Sequence, residues 1–169
     1  MSMDRLFTPW RLAYVKGDTG KNEGCVFCDV HSSLDDAANY VLHRGTHWYV
    51  MLNRYPYNNG HLLLVLRRHA SLLGECTPEE LGEMGGLLAV MERTVREALG
   101  PGGFNGGYNG GASAGAGIPQ HLHLHLLPRW LGDTNFMSTI GETRVIPCTL
   151  DEMYAQLQPV FAAELARSR

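Results

Sequence analysis

A chain of 169 residues with 44% apolar and 18% charged residues is long enough to bury the core of one domain, and this composition excludes a disordered or low-complexity polypeptide. A formal charge of -3 excludes the broad basic face that nonspecific nucleic-acid binding needs, so the expected partner is a small molecule. The longest apolar runs, such as 62–66, are far too short to span a bilayer, and Asp4 and Arg5 stand where a secretory signal needs an apolar stretch; a cytoplasmic, non-membrane protein is expected.

Residues 7–14 combine a Thr8-Pro9 turn with Phe7, Trp10 and Tyr14, which suits a segment packed over another surface or a simple hydrophobic plug. The four cysteines, Cys25, Cys28, Cys76 and Cys148, do not form a disulfide framework where no export signal is expected, and only the first two are spaced to act together. Cys25-Val26-Phe27-Cys28 has three readings: half of a metal site, a redox pair, or an apolar turn with incidental thiols. A redox pair should open a helix after a strand, and the polar run before Cys25 shows no strand. A metal would need two further ligands, which only histidines can supply.

Residues 35–38 suit a short helical turn, and Tyr40 begins a strand. Residues 46–52 and 60–66 read as two more strands, joined by a turn at 53–59 that contains Pro56, so they pair antiparallel. His43 and His47 read as surface histidines. Thr77-Pro78-Glu79-Glu80 opens a helix, with Thr77 as N-cap, proline in the first position and acids in the first turn. Its apolar stripe is Leu81, Met84, Leu87, Leu88, Met91 and Val95, with Gly82, Gly85 and Gly86 permitting close approach of a sheet or partner, and Leu99-Gly100-Pro101 ends it.

Half of residues 100–117 are glycine. Phe104, Asn105, Tyr108 and Asn109 interrupt them at strand-like intervals, so 104–109 reads as a strand and 110–117 as a loop whose backbone N–H groups can face an anion. The Gly-Lys-Ser/Thr ending of a Walker loop is absent.

In residues 121–126, His121, His123 and His125 alternate with Leu122, Leu124 and Leu126. A strict period of two marks a strand with one buried face, so the leucines enter a core and the imidazoles share the other face. Three such rings can share a metal, form a hydrogen-bonded relay, or be exposed by accident; the internal position excludes a tag remnant. After a turn at 132–135, Leu150, Tyr154, Leu157, Val160, Phe161 and Leu165 mark an amphipathic helix, interrupted or kinked by Pro159. Arg67, Arg68, Arg129 and Arg144 are the cations available for phosphate, or else solvated surface charges. Without repeats or a linker, 1–169 reads as a single domain.

His-x-His-x-His followed by apolar residues and Pro128-Arg129 resembles the signature of the histidine triad (HIT) superfamily of nucleotidyl hydrolases and transferases. Trp130, Gly132, Asp133, Asn135 and Phe136 are similar to its diadenosine tetraphosphate phosphorylase branch, as are Thr8-Pro9-Trp10-Arg11 with Tyr14, residues 53–58 with Gly60-His61, and Arg144-Val145-Ile146-Pro147. The resemblance implies an α+β fold, an antiparallel sheet of about five strands carrying a long helix and a C-terminal helix. It implies a homodimer, with Phe7 and Trp10 available to the interface.

Neutral imidazole is a good nucleophile near pH 7 and its phosphoramidate breaks readily, which suits a covalent route. By resemblance, His123 attacks the α-phosphorus to give a nucleotidyl-histidine, His125 donates to phosphate oxygens, and His121 orients the loop or binds metal. Asn53 is assigned to the ribose, Asn109 with the Gly115 to Gly117 backbone to the phosphates, and Trp130 to the choice of nucleotide chain; Ser113 and Gln120 complete the candidate contacts. The related uridylyltransferase branch and many bacterial members imply a structural zinc on Cys25, Cys28, His69 and His121, although phosphorylase-like members often lack the cysteine pair. Another departure is Ala116-Gly117, where the phosphorylase branch commonly has Gly-Ser and thus a side-chain hydroxyl. The expected activity is phosphorolysis of diadenosine tetraphosphate to ATP and ADP, with inorganic phosphate as co-substrate. Hydrolysis of dinucleoside polyphosphates or nucleoside phosphoramidates is the alternative within the superfamily, and a non-catalytic, zinc-stabilised nucleotide-binding protein is the alternative outside enzymes.

Overall fold

Residues 24–133 and 147–168 are described in the computed structural model. The aromatic segment at 7–14, Asn135, Phe136 and Arg144 to Ile146 lie outside the described residues.

Five strands, β1 (Val41–Arg44), β2 (Trp48–Leu52), β3 (Leu62–Leu66), β4 (Gly103–Gly107) and β5 (His123–Arg129), form one sheet in the order β1-β2-β3-β5-β4. Every neighbouring pair is antiparallel. Among the described residues, three helices complete the α+β fold: α1 (Val26–Ser32), α2 (Pro78–Leu99) and α3 (Leu150–Arg167).

Alternation along the strands divides the apolar residues between two cores. Trp48, Val50 and Leu52, then Leu62, Leu64 and Leu66, and finally Leu122, Leu124 and Leu126 pack under α2 and α3 with Leu87, Val90, Met91, Val95, Leu157 and Phe161. Val41, Tyr49, Met51, Leu63 and Val65 face the other way and meet Phe27 and Val30 of α1. Antiparallel register aligns Leu64 with Leu124 and Val65 with His123, so the leucine and histidine faces of β5 fall on opposite sides of the sheet.

Strand ends differ from the alternation where side chains take over the backbone. Residues 46 and 47 leave β2 because their N–H groups donate to the Glu83 carboxylate, each at 2.7 Å. Residues 60 and 61 leave β3 because Gly60 turns with φ +72°. A Cβ there would also collide with the Leu99 side chain, so this turn excludes other residues. On the glycine-rich side, β4 stops at Gly107, and Tyr108 and Asn109 lie beyond its last pairing, Gly107 with His125.

Helix α2 begins as its sequence dictates: the Thr77 hydroxyl accepts from Glu80 N–H, and the Glu80 carboxylate accepts from Thr77 N–H at 2.8 Å. Gly100 closes it in the left-handed conformation. The buried stripe is shifted from the expected one. Val90 and Thr94 are buried, whereas Leu81 is exposed; in the first turn it is Glu80 that faces inward, its carbonyl accepting from the Trp48 indole N–H at 2.8 Å. Gly82, Gly85 and Gly86 provide no close approach to the sheet, since a Cβ on any of them would meet nothing within 4 Å among the described residues. Close approach falls instead at Gly45, where a Cβ would meet the Glu83 carboxylate.

Pro159 does not interrupt α3, which runs as one helix through it with the proline on the exposed side. Helix α1 has no counterpart among the elements expected from sequence, and Cys25 is its N-cap. Seven residues are too few for a helix to persist alone. Two contacts from the sheet hold it: the buried Tyr49 hydroxyl donates to Phe27 C=O at 2.9 Å, and the Arg44 guanidinium donates to the carbonyls of Val30, His31 and Ser33 at its C-terminal end.

Glu80 is buried, yet the Arg68 guanidinium bonded to it at 2.6 and 2.9 Å holds its carboxyl down at about 2. A carboxyl lowered on folding stabilises the protein above its unfolded value of about 4.3, and that contribution is lost as the pH falls from there toward the folded value. Glu80→Gln is expected to lower stability at neutral pH by about 1–2 kcal/mol, after allowing for the exposure of Arg68. In urea unfolding from pH 7 to pH 2, the gap between wild type and variant should close below about pH 4.5; a constant gap would show that the ion pair contributes nothing.

Candidate active site

The second face of the sheet carries a cavity of about 450 Å³. Its apolar wall is made by Val26, Phe27 and Val30 of α1 with Met51, Leu63 and Ile118, and its polar end by His123, His125, Asn53, Asn109 and Gln120. Gly115 and Gly117 of the glycine-rich loop also line it. Gly115 follows a short 3-10 turn, Ala112–Ala114, with φ +80°, a conformation that favours glycine. Ser113 sits in that turn on the surface, and Trp130 lies beyond the end of β5, its N–H on Asp133; neither lines the cavity. A larger open depression of about 630 Å³ lies between α2, α3 and the β1–β2 turn, but its Arg44 and Arg67 are bonded to backbone carbonyls and it is remote from the triad.

The three histidines do not play equivalent geometric parts. His121 precedes β5 and is 1% exposed. Its Nε2–H donates to Leu66 C=O at 2.6 Å, which leaves the Nδ1 lone pair facing Cys25 Sγ at 3.2 Å and Cys28 Sγ at 3.6 Å. His69 Nδ1 lies 3.3 Å from Cys28 Sγ. The four ligand atoms of Cys25, Cys28, His69 and His121 all fall within 4.8 Å of one another. Ligand atoms on a tetrahedral ion at about 2.0–2.3 Å stand roughly 3.3–3.8 Å apart, so the observed contacts match a closed Cys₂His₂ set that could hold a metal. The hydrogen bond to Leu66 presents His121 in the tautomer a ligand needs. Burial and the neighbouring Cys25 thiol push Cys28 up to about 11, an arrangement of two thiols that a cation would relieve.

His123 is turned the other way. Its Nδ1–H donates to the backbone carbonyl of His121 at 2.8 Å, which leaves the Nε2 lone pair on the opposite side of the ring. Burial lowers its pKa and keeps the ring neutral, with the Phe27 ring centred 4.8 Å away. His125 Nδ1 is 2.9 Å from Nε2 of a fourth histidine, His61, which is 1% exposed. Burial, followed by repulsion from His125 and His123, holds His61 well below the usual imidazole range. Tyr57 stacks on His125 with ring centres 6.0 Å apart and lies tilted by 40° against His61 at 4.8 Å.

His61 and Arg54 join the site without having stood among its sequence candidates. His61 carries a readable signal, a lone polar residue heading the apolar run 62–66. Arg54 lines the cavity, with its guanidinium on Ala38 C=O and the Asn39 side chain. Three of the four expected phosphate cations lie elsewhere, Arg144 being outside the described residues: Arg67 donates to Gly45 and Thr46 carbonyls, Arg68 to Glu80, and Arg129 to Asp133 and Asn105. Sequence separation conceals the partners of Arg67 and Arg68, whereas Asp133 stands only four positions from Arg129.

The HIT domain family model matches residues 36–130. An AP-4-A phosphorylase of Mycobacterium tuberculosis is 37% identical over 172 residues, covering 98% of this chain and 86% of the relative. An uncharacterized HIT-like protein of Methanocaldococcus jannaschii is 30% identical, covering 79% of this chain and 98% of that protein. Among solved structures, a Zn-bound histidine triad family protein from Mycobacterium smegmatis superposes with a TM-score of 0.69 at 27% identity, over 87% of this chain and 99% of the other.

The cluster of two thiols and two imidazoles is expected to take up one equivalent of a thiophilic divalent ion. Cobalt(II) titration should give the absorption of a tetrahedral thiolate complex, and Cys28→Ser should abolish it. A free ion concentration about a thousand-fold above Kd raises stability by about 4 kcal/mol, readable as a higher unfolding midpoint in wild type alone. Equal midpoints with and without the ion would leave the four residues without a metal role.

Proposed function

This chain belongs to the HIT domain family, and from that premise we infer that it is a nucleotidyl transferase working through a nucleotidyl-histidine on His123, with diadenosine tetraphosphate and inorganic phosphate as substrates. The observation that carries the reading is the hydrogen bond from His123 Nδ1–H to His121 C=O, which leaves a neutral ring with its Nε2 lone pair as nucleophile. Adenine fits the apolar slot of Val26, Phe27, Val30, Met51, Leu63 and Ile118, with the ribose beside Asn53.

In the first step His123 Nε2 bonds to the α-phosphorus and the bridging P–O bond breaks, its electron pair leaving on ATP. His125 donates a hydrogen bond to the phosphate oxygens, joined by Asn109, Gln120 and the Gly115–Gly117 backbone, all at the same cavity. In the second step an oxygen of inorganic phosphate attacks phosphorus, the N–P bond breaks toward the ring, and ADP is released. Water in place of phosphate would release AMP. Phosphate is favoured as acceptor by the resemblance to the AP-4-A phosphorylase, although Ala116-Gly117 lacks the hydroxyl common in that branch.

Zinc is the ion proposed for Cys25, Cys28, His69 and His121, where it would supply rigidity and not chemistry. The protein is proposed to work in the cytoplasm as a homodimer; no helix among the described residues is long and apolar enough to cross a membrane.

Purified protein incubated with diadenosine tetraphosphate and phosphate should give equal amounts of ATP and ADP, and His123→Ala should lose at least about a thousand-fold in rate. AMP and ATP in the presence of phosphate would move the protein to the hydrolases. No turnover by wild type of this or any adenylate donor would favour a nucleotide-binding protein without catalysis.

A further inference from the structure

With His123 read as the nucleophile, the hydrogen bonds behind His125 bear on the leaving group. The Asn53 amide is fixed in orientation, because Tyr55 N–H can only donate and does so to Asn53 Oδ1 at 2.9 Å. Asn53 Nδ2, a donor, then faces His61 Nδ1 at 3.3 Å. A second donor, Tyr57 N–H, meets the same nitrogen at 3.2 Å. Two donors on one ring nitrogen exclude a proton there, so His61 carries its proton on Nε2 and gives it to His125 Nδ1 at 2.9 Å. His125 is thereby an acceptor at Nδ1 and a donor at Nε2.

We propose that Asn53 is a positioning residue that, through His61, locks His125 as a neutral Nε2–H donor, and that the site is therefore built for adenylyl donors whose leaving group departs as a polyphosphate anion, not as an amine. The proposal rests on the nucleotidyl-histidine reading of the same site. A neutral imidazole N–H stabilises negative charge by hydrogen bonding but does not surrender its proton, since the ring behind it could replace that proton only by giving up its own Nε2–H and becoming a buried imidazolate anion. Becoming an imidazolium would require a proton on His125 Nδ1, opposite the Nε2–H of His61. His61 could yield only by taking a proton at Nδ1, against Asn53 and Tyr57. A polyphosphate leaves with the electron pair of the P–O bond and needs no proton. The nitrogen of a phosphoramidate leaves with the pair of the P–N bond and must be protonated as it goes, because an amide anion is far too basic to be released.

Asn53→Asp tests this with nearly unchanged shape. The carboxylate would still accept from Tyr55 N–H but would also accept from His61 Nδ1–H, and a charge-assisted bond outweighs the one remaining donor at that nitrogen. His61 Nε2 would then accept, and His125 could hold and transfer a proton. The measurement is kcat/KM for diadenosine tetraphosphate and for adenosine 5′-phosphoramidate, in wild type and variant, beside nitrogen-15 spectra of the histidine tautomers at neutral pH. Any weakening of the Asn53 hydrogen bond to ribose acts on both donors alike and cancels in their ratio.

Wild type should favour the polyphosphate, with both His61 and His125 protonated on Nε2. The variant should shift the ratio toward the phosphoramidate by at least about a hundredfold, the low side of what general acid catalysis supplies, with the His61 proton moved to Nδ1. An unchanged ratio in a folded variant, or a wild-type His125 protonated on Nδ1, overturns the proposal. The spectra of wild type decide the lock even where the variant fails to fold. Turnover of neither donor by wild type overturns the nucleotidyl-histidine reading and the leaving-group assignment with it, whatever the spectra show.

Discussion

A hydrogen bond of 2.8 Å from His123 Nδ1–H to the carbonyl of His121 is the contact around which the site is arranged. It decides which nitrogen of the buried ring carries the proton, and so which nitrogen is left with a lone pair. The acceptor is itself immobilised. His121 is tied at Nε2 to Leu66 of the neighbouring strand segment, and its Nδ1 is aimed at two thiols. One residue thus commits its ring to the metal-type cluster and its backbone to the proposed nucleophile. Displacing the ring would move the carbonyl, so the two sites share one mechanical support.

The sheet makes that arrangement possible by separating stability from chemistry. Leu62, Leu64 and Leu66 of β3 and Leu124 and Leu126 of β5 point into the core under α2 and α3, while Leu63, Val65, His123 and His125 face the smaller core and the cavity. Burying a polar ring without partners costs about 1–3 kcal/mol. His61 and His121 are both 1% exposed, and each has hydrogen-bond partners on its ring nitrogens. Burial also disfavours the charged form of all three of His61, His121 and His123, so a neutral set of rings is the state the fold selects. A shift of β5 by one residue would exchange leucines for histidines in the main core, which is why its register is strongly specified.

Local patterns make the frame legible. The period of two in 121–126, the Thr77-to-Glu80 capping box and the apolar runs of β2 and β3 follow from short-range geometry, and each forms the expected element. Longer-range features are less legible for identifiable reasons. The stripe of α2 shifts because helical periodicity shows which residues share a face, not which member of the first turn is turned inward; Glu80, bonded to Arg68 and to the Trp48 indole, takes the buried place and Leu81 is exposed. Helix α1 has too few residues to generate a periodic signal and takes its form from Tyr49 and Arg44. The arginines mislead because a guanidinium gives no local sign of its partner: Arg68 is held by Glu80 and Arg129 by Asp133, so neither reaches the cavity. Of the candidate contacts, Asn53, Asn109, Gly115, Gly117 and Gln120 come together at one cavity with His123 and His125, while Ser113 and Trp130 do not.

The two ends of the histidine row are supported by different physics. At the His121 end, the support is a compact set of ligand atoms brought from three separate parts of the chain, residues 25 to 28, 69 and 121, and a bound ion would make it stiff. The same turn carries Phe27, whose ring packs against His121 and His123 and whose backbone carbonyl is held by Tyr49, so the wall of the cavity and the orientation of His123 are set together. At the His125 end, support comes from the 53–61 turn, where backbone N–H groups of residues 55 and 57 fix first an amide and then an imidazole. Backbone donors cannot reverse their role, whereas a hydroxyl or a second histidine could. Direction therefore enters the row from its backbone ends, and the proton positions of His123 and His125 follow from the fold before any substrate arrives.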